Sequence, residues 1–135
     1  MNFEVSTKGH GDIIDLTAEV SAAVQRSGVT EGLTTVFVAG STAAVTAMEN
    51  EEGLKRDLKR ILEKIAPEGA DYEHHRRWGD RNGNAHILSA LIGPSLTVPV
   101  AGGRPRLGAW QQVVLIDFDE GPRTREIDVT VVGTK

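Results

Sequence analysis

The chain has 135 residues with 39% hydrophobic and 25% charged side chains, an ordinary balance for one globular domain, 1–135, that buries its own core. A formal net charge of −4 argues against a general nucleic-acid binder, which needs a basic surface. The lack of cysteine excludes disulfides and thiolate metal sites, so any transition metal would rest on histidine and carboxylate.

The start Met1-Asn2-Phe3-Glu4 has neither a basic region nor an apolar signal segment, and no apolar run reaches the roughly 18 residues that span a bilayer. A cytoplasmic protein without a membrane partner is expected. Phe3, Val5 and Thr7 then alternate with Glu4, Ser6 and Lys8, the period of a half-buried strand, which Gly9-His10-Gly11 breaks. From Asp15, apolar Leu16, Val20, Ala23 and Val24 recur at helical spacing. Asp12 or Asp15 can cap the start, and Gly28 stands where a left-handed C-terminal residue belongs, so a first helix of about 12 to 14 residues is predicted.

Leu33 to Ala39 is rich in β-branched and aromatic residues and reads as a strand, with Ala43 to Ala47 continuing or pairing with it beyond Gly40-Ser41-Thr42. The second helix is marked by Leu54, Leu58, Ile61, Leu62 and Ile65 on one face, by Asn50 as N-cap, by Glu51 and Glu52 at the positive end of the dipole, and by Pro67 as a stop. Its many charges are most simply a solvated face.

Between about Pro67 and Gly83 lies a connection longer than compact domains usually carry. Tyr72 to His86 holds three of the four histidines, the only tyrosine and one of the two tryptophans. Such crowding predicts an ordered loop that builds a site. Ala85 to Ile92 follows, read as a short helix in preference to a buried strand and ended by Gly93-Pro94. Three strands are expected after it: Ser95 to Val100, Trp110 to Phe118 and Arg125 to Val132. Val113-Val114-Leu115-Ile116 is apolar without alternation, which predicts a strand covered on both faces by the domain's own helices or by another subunit. The sum is an α+β domain with a sheet-rich C-terminal half.

Three constellations can carry chemistry. His74, His75, Asp80, Asn82 and His86 supply imidazoles and a carboxylate that would suit zinc, manganese or iron, yet their spacing matches no tight zinc signature; acid-base or hydrogen-bonding duty and a purely structural role stay open beside metal binding. Gly40-Ser41-Thr42 offers freed amides and two hydroxyls to an anionic oxygen, or simply makes a turn. Gln111 at the start of a buried strand must find partners, and Arg104, Arg106, Arg123 and Arg125 suit phosphate or carboxylate, or surface ion pairs.

Taken in order, Gly40-Ser41-Thr42-Ala43-Ala44, Tyr72-Glu73-His74, Trp78-Gly79-Asp80, Asn82-Gly83, Ala85-His86, Leu91-Ile92-Gly93-Pro94-Ser95, Leu107-Gly108, Trp110-Gln111 and Gly121-Pro122-Arg123 resemble the YjbQ-type family, some of whose members are described as secondary thiamine-phosphate synthases. The resemblance runs across nearly the whole chain. It implies a mixed β-sandwich-like sheet core with two to three flanking helices, a homotrimer, and a polar cleft for metal or anion near the subunit boundary. It also implies the joining of a pyrimidine diphosphate to a thiazole phosphate with release of diphosphate. On this resemblance His86, His74 and Asp80 are catalytic candidates, Ser41, Thr42, Asn82, Gln111 and Arg123 ligand-binding candidates, and His74 and His86 ligands of a divalent metal such as zinc, magnesium or manganese. The chain departs from the family pattern at Gly40, where relatives carry histidine, and at Asn84, where others carry histidine or aspartate; Ala109 and Asp117 replace the usual threonine and glutamate. Two readings follow: an enzyme acting on a phosphorylated small molecule, or a non-catalytic trimeric metabolite- or metal-binding regulatory module.

Overall fold

The computed structural model describes all residues, 1–135, as an α+β fold of eight strands and four helices. The strands are β1 (Asn2–Thr7), β2 (Asp12–Asp15), β3 (Glu31–Ala39), β4 (Ala43–Met48), β5 (Ser95–Ala101), β6 (Arg104–Pro105), β7 (Gln112–Asp117) and β8 (Arg123–Thr134). The helices are α1 (Thr17–Ser27), α2 (Glu52–Ile65), α3 (Glu73–Trp78) and α4 (Gly83–Ile92). One sheet has the order β1-β8-β3-β5-β6 and the other β2-β7-β4. Every pairing is antiparallel.

The smaller sheet is the middle layer. Val113 and Leu115 of β7 and Ala43 and Val45 of β4 pack with Val36, Val38, Ile127 and Val129 of the larger sheet, and α1 adds Leu16, Val20 and Ala23 to this core. Val114 and Ile116 of β7 and Ala44 of β4 turn the other way, onto Ala85 and Leu88 of α4 and Ala66 at the end of α2. The unbroken apolar run of β7 is thus explained within one chain: side chains alternate between two cores, and the second cover is the domain's own helices.

Several expectations shift in detail. β4 does not pair with β3; the turn at Gly40 sends it into the other sheet, beside β7. The short β2 was not expected: Asp12 and Asp15, offered as caps of α1, stand at its two ends, and Leu16 is the N-cap. Glu51, not Asn50, is the N-cap of α2, its carboxylate accepting from the amides of Gly53 at 2.8 Å and Leu54 at 2.7 Å. Those two N–H groups hold the Glu51 carboxyl below its ordinary value. The segment expected as loop contains α3, and Trp110 and Gln111 lie before β7 rather than in it. Gly28, with φ of 74°, closes α1 as expected.

The inward faces of the two sheets end in charge. Arg125 occupies the same face of β8 as Ile127 and Val129, and Asp117 the same face of β7 as Val113 and Leu115. Arg125 donates through Nε to Asp117 Oδ2 at 2.7 Å and through Nη2 to Asp117 Oδ1 at 2.8 Å, a two-pronged contact between the sheets. Thr7 Oγ1 donates to the same carboxylate at 2.6 Å. Asp117 is fully buried and Arg125 nearly so.

Replacing Arg125 by Met strands the Asp117 carboxylate in the core and should cost about 3–5 kcal/mol of folding stability. The double replacement Arg125→Met with Asp117→Leu should recover most of that loss. Denaturant unfolding of wild type and the two variants checks both statements; a double variant no more stable than Arg125→Met alone would show that the pair is not the unit described.

Candidate active site

At the charged end of the sandwich the β3–β4 turn, the ends of β1 and β7, the start of β8 and the α3–α4 junction meet. Asp119, just beyond β7, is buried and takes four hydrogen bonds. Its Oδ2 accepts from Thr42 Oγ1 at 2.9 Å and Arg123 Nη1 at 2.7 Å, and its Oδ1 from Asn82 Nδ2 at 3.2 Å and the Glu120 amide at 2.8 Å. Thr42 in turn accepts from Arg125 Nη2 at 2.6 Å, which ties this cluster to the inter-sheet pair. Burial works against ionisation of both aspartates. For Asp119 the donors Glu120, Thr42 and Asn82 and the Arg123 charge outweigh it. For Asp117 it is outweighed by Arg125, Thr7 and the Asp119 amide. Both carboxyls sit below the ordinary aspartate value and are anionic at neutral pH.

The histidines stand beside this cluster. The rings of His74 and His86 lie 4.4 Å apart, centroid to centroid, at a tilt of 41°. Burial, then the neighbouring His74, pushes His86 below the ordinary histidine value; Asp80 and Asp119 pull the other way without restoring it. His86 is therefore a neutral imidazole at pH 7. His74 Nδ1 and Asp80 Oδ1 approach to 3.1 Å, but not in hydrogen-bond alignment. Both atoms, and Asn82 Oδ1, are buried without a hydrogen-bond partner. Unpaired buried polar atoms are rare because each costs about 1–3 kcal/mol. Three such atoms stand at one place, two of them, His74 Nδ1 and Asp80 Oδ1, facing each other.

His75 has a different task. Its Nε2 accepts from the Gly83 amide at 3.0 Å, satisfying a donor at the start of α4, while its ring meets Tyr72 edge-on at 5.4 Å. Gly83 permits this closeness: a Cβ there would stand 2.9 Å from the Tyr72 side chain. Tyr72 is anchored through its hydroxyl to the Pro67 carbonyl at 2.7 Å. The aromatic and imidazole groups of the long connection thus hold α3 and α4 in register, which sets His74 against His86.

Of the residues singled out in the sequence, His74, Asp80, Asn82, His86, Thr42 and Arg123 come together at this end of the molecule. Ser41 is exposed in the adjoining turn. Gln111 does not join them. It lies at the far end of β7 from Asp117, roughly 17–20 Å along the strand, exposed, with its Oε1 accepting from the Gly108 amide at 2.8 Å. Its neighbour Gln112 carries the structural bonds there, to the Asn50 amide and Asp15. The sequence reading missed Asp119 and the pairing of Arg125 with Asp117. One local sign existed: Asp117 and Asp119 both stand at the end of an apolar strand, where a carboxylate must have partners.

Two imidazoles with one carboxylate held against His74 do not amount to a group of three or more histidine or carboxylate side chains disposed around one point. The side chains as they stand form no complete metal-ligand cage.

Residues 1–134 match the family model described as UPF0047 protein YjbQ-like. The chain belongs to the UPF0047 YjbQ-like family. Among its relatives, a UPF0047 protein of Archaeoglobus fulgidus is 37% identical over 129 residues, covering 96% of this chain and 98% of the relative. One from Methanothermobacter thermautotrophicus is 39% identical over 122 residues, covering 90% and 83%. A crystal structure from Sulfolobus solfataricus P2, of a protein described as YbjQ-like and of unknown function, superposes with a TM-score of 0.92 at 31% identity, covering 98% of this chain and 95% of that one. A hypothetical protein of Aeropyrum pernix K1 gives 0.91 at 32% identity, covering 98% and 97%. None of these descriptions names a reaction.

The titrating groups make the UPF0047 chain acid-sensitive in two ranges. Between its lowered folded value and the ordinary 6.5, His86 binds fewer protons folded than unfolded, so its effect is absent above that window and stability falls as pH drops into it. Asp117 and Asp119 contribute stability above the ordinary 3.8, lost as pH falls through their folded values. Melting temperature measured from neutral to strongly acid pH should show a shallow loss below about 6.5 and a steeper one below about 3.8. His86→Asn should remove only the shallow step.

Proposed function

We propose that this member of the UPF0047 family is an enzyme acting on a phosphorylated small molecule, with its reacting group seated against His86 and its phosphate toward the β3–β4 turn. The observation that carries the reading is the set of buried, unpartnered polar atoms, His74 Nδ1, Asp80 Oδ1 and Asn82 Oδ1, beside a neutral imidazole. A neutral imidazole can accept a proton or a hydrogen bond at physiological pH, and a perturbed histidine among unsatisfied polar groups is what a reactive site requires. Anion binding is supported on the other side. Arg123 is half exposed, with one nitrogen pinned by Asp119. Arg125 Nη1 lies beside exposed Gly40, at 2.7 Å from where a Cβ would be, and makes no hydrogen bond within the chain, since Nε and Nη2 take all of its contacts. The Ser41 hydroxyl adjoins it in sequence.

The more specific reading is a reaction of the secondary thiamine-phosphate synthase kind. A thiazole nitrogen attacks the methylene carbon of a pyrimidine methyl diphosphate; the new C–N bond forms as the C–O bond breaks, and the electron pair leaves with diphosphate. That reaction needs no proton removed from the nucleophile, so the protein's part is charge and position. Arg123, Arg125 and Ser41 would hold diphosphate, and His86 and Asn82 would orient the second ring. A divalent ion (zinc, magnesium or manganese) on His74 and His86 would have to draw its remaining ligands from substrate oxygens.

The alternative, a non-catalytic metabolite- or metal-binding module, is favoured by the absence of a side chain at Gly40 and of a third converging ligand. One experiment separates them: phosphorylated metabolites, including the pyrimidine and thiazole pair, are incubated with the protein with and without each metal, and both product and melting temperature are read. The enzyme reading expects product, falling about a hundredfold in His86→Ala as the second ring loses its orientation, with the melting temperature changed by only a few degrees. Thermal stabilisation with no product, or unchanged turnover in His86→Ala, rejects it.

A homotrimer belongs to the same proposal. Leu33 and Phe37 of β3 and Val132 of β8 are exposed large apolar side chains. Leu33 and Val132 are register partners, and Leu33 and Phe37 share a strand face, so the larger sheet presents an apolar strip suited to a second copy. Sedimentation should give three times the chain mass at micromolar concentration, and Phe37→Glu should lower it; a wild-type monomer would sink the assembly.

A further inference from the structure

On the opposite side of α4 from the histidines, a cavity of about 60 Å³ opens between α2, β2 and the helix-facing side of β7. Its walls are apolar: Ile13, Leu58, Leu62, Leu88, Ile116 and Phe118. One polar side chain, Asn84, belongs to those walls rather than to the rim. Asn84 is 7% exposed, lines the cavity, and makes no side-chain hydrogen bond to any residue of the chain. The helix geometry explains the placement. At about 100° per residue, Asn82 and His86 fall on one side of the first turn of α4 and Asn84 on the other. The turn that carries the histidine site therefore carries a second, separate polar group into an apolar space.

The Asn84 carboxamide makes no bond within the chain, and its polar atoms are not among those sealed off from solvent, so they open into the cavity and are free to bond with what enters it. The rim carries His10, Lys59, Glu63 and Glu68. His10 Nδ1 and Glu68 Oε1 lie 2.6 Å apart at the opening, and Lys59 and Glu63 add one charge of each sign, so the mouth does not select a guest of either charge.

We infer that this cavity is a binding subsite for a small uncharged group with an apolar body and a hydrogen-bond donor and acceptor side by side, such as a cyclic amide, whose polar edge pairs with the Asn84 carboxamide. A carboxamide offers a donor and an acceptor in one plane, which such an edge matches with two bonds. A charged group is disfavoured by the cost of desolvation against the six apolar side chains. The volume admits about four or five water-sized groups, which limits the guest to one small ring or a short branched chain. The assignment is independent of the reaction proposed for the histidine site, since none of His74, Asp80, His86 or Asp119 lines the cavity.

The test uses the full-length protein, uniformly labelled with nitrogen-15, and 2-pyrrolidinone as probe. Titration should shift the Asn84 side-chain amide and the backbone amides of Gly11, Lys59 and Phe118 saturably. γ-Butyrolactone, of the same shape without the N–H donor, should bind about two- to tenfold more weakly. Asn84→Leu should weaken 2-pyrrolidinone binding at least about tenfold, and Leu62→Phe, which fills the space from α2, should abolish it, with the spectrum of each variant confirming the fold. No saturable shift at Asn84 in the wild type, equal binding of lactam and lactone, or undiminished binding in a folded Asn84→Leu would each overturn the assignment.

Discussion

The contact on which the rest of this fold depends is the one between Arg125 and Asp117. Two antiparallel sheets of unequal size need a reason to stop at the same level, because apolar alternation alone would let either strand run on or slide. Here the inward positions of β7 and β8 change from valine, leucine and isoleucine to a carboxylate and a guanidinium in the same layer. A pair with two hydrogen bonds in a buried place tolerates little misplacement. It contributes register more than net stability, since the cost of removing both charges from water offsets most of their attraction. Asp119, Thr42 and Thr7 complete the layer, and with it fix the β3–β4 turn and the start of β8.

Given that layer, the histidine site follows by short links. Asp119 holds Asn82, the residue that leads into α4. His86 lies one helical turn on, so its ring is placed by a carboxylate that belongs to the sheet end. From the other direction, Tyr72 and His75 clamp the same helix start and bring His74 with them. A rigid sandwich thus presents imidazoles that come from the least regular part of the chain. The unsatisfied atoms can persist because the scaffold, rather than their own bonds, keeps them there.

Much of this was legible before any coordinates. The alternation in β1, the run in β7, the apolar stripe of α2 and the glycine after α1 are local patterns whose causes are local, and they predicted the elements they formed. The crowding of histidine and aromatic residues between Tyr72 and His86 singled out the candidate site, whose His74 and His86 rings the fold brings to 4.4 Å. What was not legible depended on partners distant in sequence. β2 is only four residues long and exists because β7 accepts it. α3 is six residues, too short to announce itself by periodicity. Gln111 read as a buried polar group only because β7 was started two residues early, and the true first residue, Gln112, is the one whose amide needed partners. Asp119 was not singled out in the sequence: three of its four donors come from the β3–β4 turn, from α4's start and from β8, and only the fourth, the Glu120 amide, is its neighbour.

Gly40 shows how a single glycine acquires a physical meaning. Its φ of 148° lies where a side chain is strained, and Arg125 Nη1 fills the space in which a Cβ would begin. A side chain at this position and the guanidinium beside the turn are therefore alternatives for one volume. An imidazole there would add a lone pair, suited to a cation. A guanidinium nitrogen adds donors and a permanent positive charge, suited to an anion. Because Asp117 anchors that guanidinium from the far side, the turn cannot trade one for the other without disturbing the layer that aligns the sheets. The contact that aligns the sheets therefore also fixes the free Nη1 donors of Arg125 beside the Gly40–Ser41 turn.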